Sequence, residues 1–86
     1  MDEHYILKTL IDLLEANQIK IRKEPLADSS GGLCRVGGER ILFLDSGASS
    51  LAQAEICASA LKTVIDIENI DLRPDVREFV KRKTNE

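Results

Sequence analysis

Eighty-six residues make one domain, not two, and a chain of this length buries only about 60–65% of the surface it exposes when unfolded. With 43% hydrophobic and 31% charged residues the balance is that of a globular domain, which excludes a disordered tail and a membrane-embedded chain. A net charge of −3 excludes a general electrostatic pull toward nucleic acid, and with Tyr5, Phe43 and Phe79 as the aromatics the core has to be aliphatic.

Asp2 to Asn17 reads as a helix. Ile6, Leu7, Leu10, Ile11, Leu13 and Leu14 recur at spacings of three and four and so share one broad face. Asp2 and Glu3 suit its first turn, where the helix dipole favours acids, and Asn17 is the expected left-handed stop. Lys8 and Asp12 break this apolar stretch, so it is not a secretory leader. No other run has the ~18 apolar residues of a membrane span. The expectation is a cytoplasmic protein without a membrane segment. Its two cysteines, Cys34 and Cys57, are then free thiols.

Ile19 to Lys23 alternates apolar and basic residues, the pattern of a strand with one wet face. Pro25 ends it, and Asp28 to Gly32 has the composition of a flexible loop. Leu33 to Val36 and Glu39 to Asp45 flank Gly37-Gly38 as a hairpin, because two glycines supply the positive φ angles of a tight turn. Ile41 to Leu44 is apolar without alternation, which predicts a strand buried on both faces and covered on both sides by helices or a second subunit. On that reading Phe43→Ala is among the most damaging changes.

After the turn at Ser46 to Ser49, Ser50 and Gln53 have capping-box spacing, opening a helix that runs to about Ile65. Asp66 to Leu72 is ambiguous between helix, turn and loop. Pro74 suits the first turn of a last helix reaching about Lys83, with Val76, Phe79 and Val80 as its apolar stripe and residues 83–86 frayed. The fold class is therefore α+β over residues 1–86, ordered α-β-β-β-α-α, with a three-stranded, at least partly antiparallel sheet.

Chemistry is sparse. Cys34 with Arg35 is the one pair that suggests a thiolate nucleophile or redox sensor. Adjacent strand residues point to opposite faces, however. Cys34 shares its face with Val36, so the expectation is a buried, inert cysteine. Cys57 reads as core. His4, the single histidine, reads as a surface residue, and one histidine with two cysteines falls short of the four ligands usual for zinc. The protein is expected to bind no metal and no cofactor. Asp66-x-Glu68-x-x-Asp71 lacks the spacing and central glycine of a calcium loop. The glycine pairs 31–32 and 37–38 match no phosphate-binding pattern. Arg73, Arg77 and Lys81 have helical spacing, but Asp75 and Glu78 interrupt them and no aromatic is placed for base stacking.

The order strand, hairpin and small-residue helix over about residues 19–61, with Ile41-Leu42-Phe43-Leu44-Asp45 leading through a serine turn into a helix, resembles the start of the ImmA/IrrE-type metallopeptidase domain. In that family the helix carries His-Glu-x-x-His. Here it reads Ala54-Glu55-Ile56-Cys57-Ala58-Ser59-Ala60-Leu61. The resemblance implies a related fold with no zinc-activated water and no active site of that kind.

Three readings of function follow. The first is a non-enzymatic protein-interaction module that self-associates as a homodimer, with an unidentified protein partner as a further possibility. Its contact is expected on helices or on the outer sheet face around Leu33. Strand-to-strand extension is not expected, since Lys20, Arg22 and Lys23 guard the edge of the first strand. The second is a small thiol-dependent enzyme or redox sensor centred on Cys34. The third is a nucleic-acid accessory protein using the basic C-terminal helix.

Overall fold

A computed structural model of the chain describes residues 2–26 and 31–84, the last two by backbone alone. Helix α1 spans Glu3–Ala16. Asp2 is its N-cap: Oδ1 accepts from the backbone amides of His4 at 3.0 Å and Tyr5 at 3.3 Å, satisfying two donors that no helical carbonyl can reach. At the other end Asn17 donates through Nδ2 to the Leu13 carbonyl at 2.8 Å. That bond holds Asn17 at φ −102°, and the left-handed residue is Gln18, at φ +66°, one position later than expected.

Strands β1 (Ile19–Glu24), β2 (Gly31–Val36) and β3 (Glu39–Asp45) form a mixed sheet of order β1-β3-β2. β2 and β3 are the expected antiparallel hairpin, with Gly37 at φ +58° and Gly38 at φ +86°. β1 runs parallel to β3. β2 begins at Gly31, so both glycines expected in the preceding loop are strand residues. The rest of that expected loop, Asp28 to Ser30, lies outside the described residues, as does the fraying expected at Asn85 and Glu86.

Asp45 organises the exit from β3. Its Oδ1 accepts from Gly47 N at 3.0 Å and its carbonyl accepts from Ala48 N at 3.0 Å. Helix α2 spans Ser50–Val64, and its N-cap is Ser49, whose Oγ accepts from Ala52 N at 3.1 Å. The box expected from Ser50 does not form because the Gln53 side chain donates back past it to the Ala48 carbonyl at 3.0 Å. The ambiguous segment resolves into a 3-10 turn, Ile67–Asn69, capped by Asp66. Helix α3, Pro74–Thr84, begins at the proline and includes positions 83 and 84, which were expected to fray.

The helices all serve one side of the sheet. α1 packs on β1 and α2, α2 on β2 and β3, and α3 on α2. The core between them takes Ile6, Leu10 and Leu14 from α1, Cys57 and Leu61 from α2, Val76, Phe79 and Val80 from α3, and Ile19, Leu42 and Leu44 from the sheet. Ile21 and Leu33 pack against it partly buried. Ile41 is buried but stands outside this cluster, and Phe43 is half-buried. The apolar run of β3 is thus divided: Leu42 and Leu44 face the helices, Ile41 and Phe43 face away. Among the described residues no helix covers this second face, where the expectation was cover on both sides. Flanking side chains shield it instead. The Arg22 guanidinium lies 5.9 Å from the Phe43 ring centroid, and Lys20 pairs with Glu39 at 3.0 Å.

Candidate interaction surface

The helix-free face is set by strand parity. Cross-strand register places Lys20, Ile41 and Cys34 in one row, and Arg22, Phe43 and Gly32 in the next. Beyond Cys34, Val36 pairs with Glu39 at the hairpin end. The β1 side of this face is charged, with Arg22 also bridging Glu24 at 3.3 Å. The β2 side carries Gly32, Cys34 and Val36 and no charge. Val36 is 53% exposed, the most exposed large hydrophobic residue among those described.

This placement corrects two expectations. Cys34 is exposed, not buried. Its partner in the argument, Val36, was assigned to the core for being apolar, yet both project from the side that no helix reaches. Leu33, expected on the outer face, turns inward to pair with Leu42. Parity does separate Cys34 from Arg35 as expected, since Arg35 sits on the helix side opposite Arg40. The signal that identifies the outer face in the sequence is β1: Lys20 and Arg22 mark the wet parity, and a parallel register carries it to Ile41 and Phe43.

Arg35 and Arg40, with Glu15, Lys20 and Glu39, line a cleft of about 550 Å³ at the hairpin end. Arg40 Nη2 is committed to the Asn17 carbonyl at 3.0 Å and Lys20 to Glu39. The two carboxylates in the lining offset the cations, so the cleft is no concentrated positive basin. Around the Cys34 sulfur the same-face neighbours Gly32, Val36 and Ile41 bring no base and no charge.

Cys57 lies in the core with no exposed surface, as expected. Burial pushes its thiol up to about 12, with nearby Lys23 offsetting part of that rise. A native-state thiol titration at pH 8 should therefore label one cysteine per chain, Cys34, and reach Cys57 only in denaturant. Two labelled thiols without denaturant would place Cys57 wrongly.

His4 is exposed, as expected, and the fold adds a contact the sequence did not indicate: its Nδ1 lies 3.1 Å from Ser50 Oγ. In a Ser-His catalytic pair a third group holds the imidazole in place. Among the described residues the His4 ring makes no second hydrogen bond, and the contact ties the start of α1 to the start of α2.

Among the described side chains, Arg77, Lys81 and Arg82 of α3 and Arg73 just before it are engaged within the molecule. Arg77 donates to the carbonyls of Ile67 at 2.8 Å and Ile70 at 2.6 Å, clamping the 3-10 turn to α3. Lys81 pairs with Glu68 at 3.1 Å, and Arg82 with Glu78 at 2.9 Å. Arg73 lies over the Tyr5 ring at 4.7 Å and pairs with Asp75 at 3.4 Å. Among the described residues no group of three or more His, Cys, Asp or Glu is placed to hold a metal ion, and no helix is long and apolar enough to cross a membrane. Comparison with protein-family models, with curated protein sequences and with solved structures found no match.

Proposed function

We propose that this chain is a non-enzymatic protein-interaction module that self-associates, and that its working surface is the β2 side of the helix-free face. The observation that carries the reading is the pairing of exposed Val36 and Cys34 with an uncharged margin, on a sheet whose helices all lie on the other side. A contact there would cover the open half of Val36 together with the Cys34 thiol. The resemblance of residues 19–61 to the ImmA/IrrE-type domain fits the same reading, because α2 has no histidine and that family's zinc chemistry has no ligands here. Sedimentation equilibrium at micromolar concentration tests it. The expected mass exceeds the 9.6 kDa of one chain, and a clean monomer would overturn the proposal.

The exposure of Cys34 favours one second reading, a thiol sensor. Parity keeps Arg35 on the opposite face of the sheet, so on the interaction-module reading Cys34 should react with a maleimide no faster than an unstructured peptide thiol. A rate about tenfold above that reference would favour the sensor.

A further inference from the structure

Resting on the self-association just proposed, and departing from the expectation of no strand-to-strand extension because that guard covers the β1 edge alone, we infer that two copies join edge to edge through β2, antiparallel about a two-fold axis at Cys34, into one continuous sheet. β1 and β2 are the two edges of the sheet. β1 carries Lys20, Arg22 and Lys23, the kind of charge that blunts an edge. β2 carries one charge, Arg35, and no proline.

The hydrogen-bonding phase of β2 follows from its turn. Two residues join β2 to β3, so Val36 and Glu39 are a hydrogen-bonded pair, and alternation makes Cys34–Ile41 the next. The backbone groups of Cys34 are thereby spent on β3, and those of Leu33 and Arg35 point out of the edge. Leu33 and Arg35 flank Cys34 symmetrically. A two-fold axis through Cys34 sets each Leu33 against the other copy's Arg35 as a hydrogen-bonded pair, with donors and acceptors matched.

The side chains on the helix-free face point to a second copy as the occupant. In this register Val36 stands opposite the other copy's Gly32. Val36 is the exposed apolar knob. Gly32 is the matching hole, where a Cβ would meet nothing within 4 Å. Knob and hole lie two residues either side of Cys34, so one strand supplies both halves of the fit, as an isologous contact requires. On the helix side, Ile56, Ser59, Ala60 and Thr63 of α2 lie beside Gly31 to Leu33 of this edge.

The register puts Cys34 directly opposite its own copy as a non-hydrogen-bonded pair, with Cα atoms about 4.5 Å apart, inside the roughly 4.4–6.8 Å range of a disulfide. Diamide therefore reports the geometry: two Cys34 thiols give up two electrons and two protons to one diamide, which becomes the hydrazine, and one S–S bond forms. The full chain is examined by sedimentation equilibrium in reductant, and by diamide treatment with non-reducing electrophoresis. The variants are Cys34→Ser, Val36→Asp and Gly32→Ile.

Wild type should sediment as a dimer and cross-link, and Cys34→Ser should abolish the cross-link. Val36→Asp and Gly32→Ile should keep the wild-type circular dichroism yet weaken the dimer by about tenfold or more. Val36→Asp, at a position already exposed, decides the matter should Gly32→Ile disturb the hairpin. A dimer that neither variant weakens, or that diamide fails to cross-link, overturns the edge pairing and leaves self-association standing. A monomer at every concentration removes both.

Discussion

Phe79→Ala should cost about 3–5 kcal/mol in urea unfolding. Phe79 is the largest fully buried side chain, 1% exposed in the core of α3, where Val76 and Val80 are also closed from solvent. Stability of about 0.05–0.15 kcal/mol per residue over 86 residues leaves a domain for which that loss is severe, and the variant is expected to populate its unfolded state at 37 °C. Phe43→Ala is the control. Its ring is half-buried on the helix-free face beneath Arg22, and a partly buried phenyl is worth about 1 kcal/mol. The apolar run of β3 had made Phe43 the expected weak point. The helices move that role to Phe79, and equal losses for the two variants would mean that α3 is not seated on α2 as described.

Gly31→Ala should cost about 2–4 kcal/mol, combining a strained backbone with a steric clash. Gly31 has φ +119°, a region that residues with a Cβ rarely adopt, and a Cβ there would run into the Phe43 carbonyl oxygen. Its neighbour supplies the contrast. Gly32 has an ordinary φ and open space around its missing side chain. Gly32→Ala should be neutral or stabilising by about 0.4–1 kcal/mol, since alanine narrows the unfolded ensemble. Urea midpoints of the two variants measured side by side test the register of β2 on β3. Similar losses at both positions would show that Gly31 is not held against Phe43.

Much of the fold was legible because several segments carry their own period or punctuation. The apolar stripe of α1, the Gly37-Gly38 turn and Pro74 at the head of α3 each act over a few residues. The faces of β3 were not legible, since Ile41 to Leu44 has no alternation to show which pair meets the helices. That gap propagated to the candidate site: with the outer face unassigned, Val36 was counted as core and took Cys34 with it. The parallel pairing of β1 with β3 was also hidden, because no local pattern states which strand will be a neighbour. At the head of α2 the adjacent Ser49 and Ser50 offered two caps of equal chemistry, and the choice rests on where the Gln53 amide turns.

The strand order has a consequence for how the chain comes together. β1 precedes β2, yet among the described residues it pairs in the sheet with β3 alone, the last strand of the three. During synthesis from the N-terminus, α1 and β1 leave the ribosome with nothing for β1 to pair with until Asp45 has followed. The β2–β3 hairpin closes over a two-residue turn and needs no distant segment, so loop closure favours it as the earlier event. β1 then docks onto an edge already built, and until it does, Lys20, Arg22 and Lys23 keep a nascent strand charged and apart from its neighbours.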